Sequence, residues 1–534
     1  MNIAHVLQRH ARERPSQPAI IDGPAHAQRI LTFAQLDEQV GRFAALLKAL
    51  GARAGDHALI FQPMSAELYV ILLALFRLGA VAVFIDPSQG RAHIERCCAR
   101  IPPKIFIAAG KAHLLRLISR PLRRIPIKVS VGPWLPATVN YGRLFRQQAC
   151  TEILDCNPDA PALVTFTSGS TGVPKAAVRS HGFLLAQHRV LAANLHHVAG
   201  EVDLATLPIF VLANLASAVT SVIADVDLRR PGAIDAAKLL RHIRQQPALR
   251  SAASPAFYQR LAEYCRQQGM TLNNFTRIDT GGAPVFPDVL AQLHAIAPNA
   301  EIVAVYGSTE AEPIAHIYWR DISRADRDRM LQGKGLLAGP PVAEINCKVI
   351  RDRFGTAIGP FSADTFAQQY CATDEVGEIV VAGEHVLPGY LDGVGDAETK
   401  FEVDGRRWHR TGDLGCFDAH GRLWLLGRCT ARIEDANGVC FPFAVETVAR
   451  SDARIRHAAM VAWRGRRVLV VEYRPGAQGD DDELRQHIAW AKLAAVVSVR
   501  TMPLDKRHNA KIDYPALMAL LDRTQTMRTS QGDS

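Results

Sequence analysis

At 534 residues the chain is too long for one small core, and roughly 100–200 residues per domain divides it into three or four compact units. Apolar residues make up 48% and charged residues 21%, a globular balance that excludes a disordered chain; only residues 523–534, polar and without an apolar rhythm, read as a flexible tail. The net charge of +10 comes from arginines spread along the whole length with no nucleic-acid module among them. Nucleic acid is therefore not an expected partner, which leaves a solvated basic surface, or one that meets anionic substrates or an anionic membrane face.

The N-terminus, MNIAHVLQRHARERP, has no apolar core and is not read as a signal peptide. The ten cysteines show no C-x-x-C spacing, which argues against zinc and disulfide scaffolds and suits a reducing cytoplasm. Thr32 is placed to cap a helix that runs to about Leu50 and stops at Gly51. His57–Phe61 reads as a buried strand, Ser65 as the cap of a second helix ending before Gly79, and Val81–Ile85 as another strand. This β-α-β rhythm predicts a mostly parallel sheet covered by helices. Two apolar stretches, Glu67–Ile85 and Leu204–Ala224, approach the length of a membrane span but read as buried, the second as a strand-turn-helix lining an apolar pocket. Further strands are expected at Ala162–Thr167, Arg277–Thr280 and Ile302–Val305, each ending in a loop of small residues where ligands gather. Beyond about residue 340, short strands at Ile345–Ile350, Val376–Val381 and Leu423–Leu426 predict a β-rich subdomain, and Pro515–Leu521 a closing helix.

The sharpest chemical signal is Thr167-Ser168-Gly169-Ser170-Thr171-Gly172-Val173-Pro174-Lys175. Glycines let backbone N–H groups turn toward an anion, hydroxyls add donors and the lysine adds charge, which together make a phosphate cradle. It is not a Walker A loop, because Lys175 follows Pro174. Gly333-Lys334-Gly335-Leu336-Leu337-Ala338 imitates a dinucleotide fingerprint but precedes a strand instead of following one. His196-His197 has no partner at metal-ligand spacing.

With these motifs the chain resembles the adenylate-forming superfamily of acyl-CoA synthetases, peptide-synthetase adenylation domains and luciferases. The cradle is that superfamily's phosphate-loop signature, and Gly281-Gly282-Ala283-Pro284, Tyr306-Gly307-Ser308-Thr309-Glu310, Arg410-Thr411-Gly412-Asp413, Gly427-Arg428 and Asn509-Ala510-Lys511 follow in the family's order. The resemblance implies an α/β fold: a large N-terminal AMP-binding domain over 1–428, with two stacked α/β sheets and a small β-barrel subdomain at about 340–428, then a smaller mobile α+β domain over 429–522. It implies ATP and Mg²⁺ as cofactors. Tyr306 would stack on adenine beside Gly282, Ala283 and Pro284, and Asp413 would bind the ribose hydroxyls. Arg428 would reach ribose or phosphate, Thr309 the α-phosphate and Glu310 the Mg²⁺. Lys511 would offset the charge that builds as a carboxylate attacks the α-phosphate.

Three positions depart from the family pattern: Ala510 replaces the glycine before Lys511, Thr430 stands at the hinge, and Val211 replaces a histidine after Phe210. Together with Thr220–Asp227, Arg230-Pro231, Ser254-Pro255-Ala256 and Arg507–Ile512, they resemble the β-lactone synthetases of bacterial long-chain olefin biosynthesis. That branch implies activation of an apolar 3-hydroxy acid, whose own hydroxyl then expels AMP without CoA. An acyl-CoA synthetase, an acyl-AMP ligase loading a carrier protein, or a degenerate nucleotide-binding protein are the alternatives. Gly438 and Pro442 resemble a CoA-side loop, one residue short of the usual spacing to Glu446. Contact with a membrane surface or with a pathway-enzyme partner is left open.

Overall fold

The first two long helices set the frame for everything that follows. In the computed structural model, which describes residues 1–167, 174–505 and 511–531, the Thr32 hydroxyl accepts from the Gln35 amide and the Gln35 side chain accepts from the Thr32 amide. This capping box opens the helix Phe33–Ala49. Ser65 precedes the helix Ala66–Arg77 as predicted but makes no cap bond; the Ala66 N–H donates instead to Asp22 Oδ2, 2.9 Å away. That helix is apolar on every face because two sheets enclose it: Leu68, Val70 and Leu72 share one core with Ile20 of one sheet and Ala58 and Ile60 of the other. Among the described residues no helix is long and apolar enough to cross a membrane. Leu204–Ala224 resolves into the strand Val202–Ala205, the helix Pro208–Ala216 and the strand Thr220–Ile223.

The first sheet runs, edge to edge, through Ala311–Tyr318, Glu301–Ser308, Phe275–Thr280, Leu249–Ala253, Val202–Ala205, Thr220–Ile223, Pro18–Asp22 and Arg29–Thr32. Its inner strands are parallel and one antiparallel strand closes each edge. The second sheet has seven strands, also mostly parallel, and ends in the antiparallel pair Pro161–Thr167 and Lys175–Ser180 that flanks the phosphate-loop motif. The strand expected at Ile302–Val305 extends over Glu301–Ser308 and turns at Thr309–Glu310 into its neighbour. Tyr306 and Gly307 therefore stand on a strand and not in a loop.

A six-stranded antiparallel sheet follows, built from Leu336–Gly339, Asn346–Ile350, Gly377–Ala382, Lys400–Val403, Arg406–Phe417 and Leu423–Arg428. Beyond it, the helix Pro442–Ala449 packs on the strands Ile455–Trp463 and Arg466–Tyr473, with Ala495–Ser498 alongside. Leu517 and Leu521 of the last helix bury against Val461, Val468 and Val470. That helix runs Tyr514–Gln531, so regular backbone enters the stretch read as a tail. The sequence supplies no glycine or proline to stop it before Gly532. Arginines clamp the 442–474 segment onto the first sheet's helices: Arg450 lies 2.9 Å from Asp288, and Arg474 lies 3.2 Å from Glu263.

Candidate active site

Tyr306 and Asp413, far apart in sequence, meet where the Glu301–Ser308 strand faces the Arg406–Phe417 strand. The Tyr306 hydroxyl donates to Asp413 Oδ2 at 2.8 Å, and Arg428 Nε lies 3.1 Å from Asp413 Oδ1. Burial, with the Asp413 carboxylate adding to it, pushes the Tyr306 hydroxyl well above its ordinary range. Asp413 is the direct cross-strand partner of Arg428, and its own N–H donates to Thr411 Oγ1 at 3.0 Å. Arg410 holds this corner from beneath through a fully buried pair with Glu378, Nε to Oε2 at 3.0 Å. Breaking such a pair costs about 3–5 kcal/mol.

Tyr306, Asp413 and Arg428 line a cavity of about 330 Å³, together with Gly282, Ala283, Pro284 and Gly307. Gly281 has no room for a side chain, since a Cβ would come 2.7 Å from the Val305 carbonyl, and Gly282 adopts a φ of 78°. The opposite wall comes from the C-terminal segment, with Pro442, Phe443, Tyr514 and Lys511. The Lys511 backbone is clasped by Asp505: its N–H donates to Asp505 Oδ1 at 3.1 Å, and its carbonyl accepts from the Asp505 N–H at 2.8 Å.

Lys175 does not line that cavity. Its ammonium pairs with Glu398 at 3.1 Å and lies 5.7 Å from the centre of the Tyr390 ring. The Tyr390 hydroxyl in turn donates to Glu310 Oε1 at 2.7 Å, so one tyrosine joins the phosphate-loop lysine to the predicted metal carboxylate. Burial alone would raise the Glu310 carboxyl, but His409, the Tyr390 hydroxyl and Lys400 outweigh it and hold the group below its usual value. Lys400 is buried, lies 5.8 Å from the same ring and bonds the Leu387 carbonyl; burial brings its ammonium down to about 8. Arg179 ties the base of the loop to the hairpin turn, donating to Thr165 Oγ1 at 2.8 Å and to the Thr309 carbonyl at 2.9 Å. Ser308 Oγ accepts from the Glu310 N–H at 3.2 Å, and Thr309 itself is exposed. The donor set suits Mg²⁺, a hard ion that takes one or two carboxylates and fills its remaining sites with phosphate and water oxygens.

A second, small cavity with both apolar and polar walls adjoins the first through Gly282 and Val305. Leu191, Leu195, Leu207 and Phe210 form much of its wall. Val211 turns away into the core between the sheets, so its replacement of histidine is a packing feature. Glu312 also lines this cavity, makes no hydrogen bond or ion pair among the described residues, and is pushed up to about 7 by burial. A carboxylate raised in this way beside a cavity is a candidate ligand contact. No local pattern in the sequence singles it out, and the same holds for Tyr390, Arg179, Glu398 and Lys400.

Of the predicted site residues, Ser168, Gly169, Ser170, Thr171 and Gly172 lie outside the described residues, as do Asn509 and Ala510. Thr167 ends its strand, and Thr430 is exposed in the turn Cys429–Ala431. Gly438 is exposed on a two-stranded hairpin, while Pro442 begins its helix against Gly427. The glycines at 333 and 335 precede the strand Leu336–Gly339, which rules out a dinucleotide turn. His196 and His197 bond Tyr318 and Ser217, and no cluster of metal ligands occurs among the described residues.

Residues 7–391 match the family model described as AMP-binding enzyme. The chain is 34% identical to the olefin β-lactone synthetase of Stenotrophomonas maltophilia (strain K279a), over 96% of each chain. It is likewise 34% identical to the olefin β-lactone synthetase of Xanthomonas campestris pv. campestris, with the same coverage. Among solved structures it resembles ATP-bound MatB from Rhodopseudomonas palustris, with a TM-score of 0.78 at 19% identity, covering 97% of this chain and 99% of that one.

Proposed function

This chain belongs to the AMP-binding enzyme family, and from that premise we propose that it activates a long-chain 3-hydroxy acid with ATP and closes it to a β-lactone. The observation that carries the reading is the cavity in which Gly282, Tyr306, Asp413, Arg428 and Lys511 converge, with a smaller, partly apolar cavity beside it that shares Gly282 and Val305.

In the first step a carboxylate oxygen of the acid attacks the α-phosphorus of ATP, the α–β phosphoanhydride bond breaks, and pyrophosphate leaves with the bonding pair. Tyr306 and the Gly282–Pro284 turn hold adenine, and Asp413 binds the ribose hydroxyls. Arg428 reaches the ribose or phosphate oxygens, and Thr309 bonds the α-phosphate. Lys511 places its ammonium where two anions meet, and Lys175 serves the departing phosphates. Mg²⁺, held by Glu310, would neutralise phosphate charge when bound.

In the second step the substrate's own 3-hydroxyl attacks the acyl carbon. The bond from that carbon to the AMP oxygen breaks, AMP leaves with the pair, and the hydroxyl proton passes to solvent. Holding nucleophile and electrophile in one molecule supplies an effective concentration that no free acceptor matches. Glu312 is the acceptor assigned to that hydroxyl. Thr430 would act as hinge for the small domain between steps.

Incubation with ATP, Mg²⁺ and a 3-hydroxy fatty acid, with and without CoA, tests the proposal. Lactone and AMP in equal amounts without CoA are expected. A thioester formed only with CoA overturns the second step, and absence of acid-dependent AMP overturns the first.

A further inference from the structure

Lysines and arginines occur throughout this chain, but the acids that balance them do not. No Asp or Glu lies between residues 96 and 151, while eight Lys and Arg residues fall between 110 and 147. The concentration of charge is therefore visible in what is missing more than in the count of arginines. In the fold this stretch forms one end of the seven-stranded sheet: the turn Gly110–Leu114, the short helices Leu115–Ile118 and Arg120–Arg124, and the strand Ile127–Val131. Just upstream, Arg100 and Lys104 pair with Asp392 and Asp56. Within the stretch none of the eight cations meets a carboxylate among the described residues, and Lys111, Arg120 and Arg124 are exposed.

The same edge carries large apolar side chains in water: Leu117 is 72% exposed, Trp134 64%, Leu114 59% and Ile118 53%. The Arg116 guanidinium donates to the carbonyls of His113 and Pro136, at 3.2 and 3.1 Å, and so ties the loop that carries Trp134 to the helix of Leu117. An exposed apolar cluster ringed by unpaired cations marks an interaction surface. Aliphatic side chains neither stack on bases nor bond phosphates, whereas they gain by entering acyl chains, and tryptophan favours the bilayer interface.

We propose that this sheet edge docks on an anionic lipid surface, with Leu117, Ile118 and Trp134 entering the headgroup–acyl boundary and Lys111, Arg120 and Arg124 meeting lipid phosphates. The proposal does not depend on which acid the enzyme takes. Co-sedimentation of the full chain with phosphatidylcholine vesicles, with and without phosphatidylglycerol, tests it. Sedimentation is expected only with the anionic vesicles and should weaken steeply as salt rises. A basic residue near such a surface is worth roughly fivefold in partitioning. The double variant Arg120→Glu/Arg124→Glu should therefore lose about 25-fold or more, and Leu117→Ser/Ile118→Ser should bind more weakly at every salt concentration. Both pairs lie far from the nucleotide cavity in sequence, so unchanged acid-dependent pyrophosphate exchange certifies their folding. The proposal is overturned if the native chain stays in the supernatant with anionic vesicles, if both variants sediment as the native chain does, or if a DNA duplex binds more tightly than the vesicles at equal salt.

Discussion

The Tyr390 hydroxyl stands 2.7 Å from Glu310 Oε1, while the Lys175 ammonium lies 5.7 Å from the centre of the same tyrosine's ring. One side chain thus touches both Glu310, proposed to face Mg²⁺, and Lys175, proposed to face phosphate. Tyr390→Phe keeps the ring and removes only the hydrogen bond. A bond to a charged group is worth about 1.5–3 kcal/mol, so the variant should need roughly ten- to a hundredfold more Mg²⁺ for half-maximal activity. Glu310→Gln should shift the same Mg²⁺ titration further. Two titrations that coincide with the native curve would remove Glu310 from the metal site.

Lys511 lines the proposed nucleotide cavity from a backbone position held by Asp505. Lys511→Ala should lower acid-dependent pyrophosphate exchange by about 10²–10³-fold, the range seen when one preorganised charge-stabilising donor is removed. ATP binding, read by calorimetry, should change little. Native exchange rates in that variant would contradict the assigned role.

Glu312 lines the small cavity beside Leu191, Leu207 and Phe210, together with Arg277, Asp279 and His316. A site built to bond a hydroxyl discriminates against an analogue that lacks it, because the buried acceptor is then left unpaired. Glu312→Leu should erase the preference for a 3-hydroxy acid over the unsubstituted acid of equal length, and Glu312→Gln should retain part of it. The ratio of kcat/KM for the two acids is the measurement, and an unchanged ratio in both variants would exclude Glu312 from recognition.

Glu446 is buried, accepts from the Met460 N–H at 2.9 Å, and is pushed up by burial to about 7. The folded protein therefore keeps a proton that the unfolded chain releases near the ordinary carboxylate value, and stability falls as pH rises through the window from about 4.5 to about 7. The full displacement corresponds to about 3 kcal/mol. Glu446→Gln should gain stability over the native protein as pH rises from 5 to 8. Denaturant melts of both proteins across that range check the sign, and parallel curves would count against a buried, protonated Glu446.

Much of the frame was legible from residues alone. The helix cap at Thr32 and the strand at His57–Phe61 follow from local hydrogen-bond chemistry and hydrophobic period, and the structure has both; the capping box with Gln35 is what it adds. The strand through Tyr306 was read too short. Its last residues, Tyr306-Gly307-Ser308, look like a loop until an antiparallel partner, Ala311–Tyr318, supplies the pairing that makes them a strand. Ser65 failed as a cap for a related reason: the better acceptor, Asp22, comes from 44 residues away.

The sequence by itself determined the chemistry on offer, since a glycine-hydroxyl-lysine loop and the residues Tyr306, Glu310, Asp413, Arg428 and Lys511 carry their properties wherever they stand. Only the tertiary structure decided who helps them. Tyr390 reaches Glu310 across 80 positions, Arg179 reaches Thr309 across 130, and Glu398 reaches Lys175 across 223. Such pairings leave no periodic trace, because burial and distance are properties of the packed sheets and not of neighbours along the chain. The basic edge around Leu117 became a surface in the same way, once folding left its cations without carboxylates and its leucines in water.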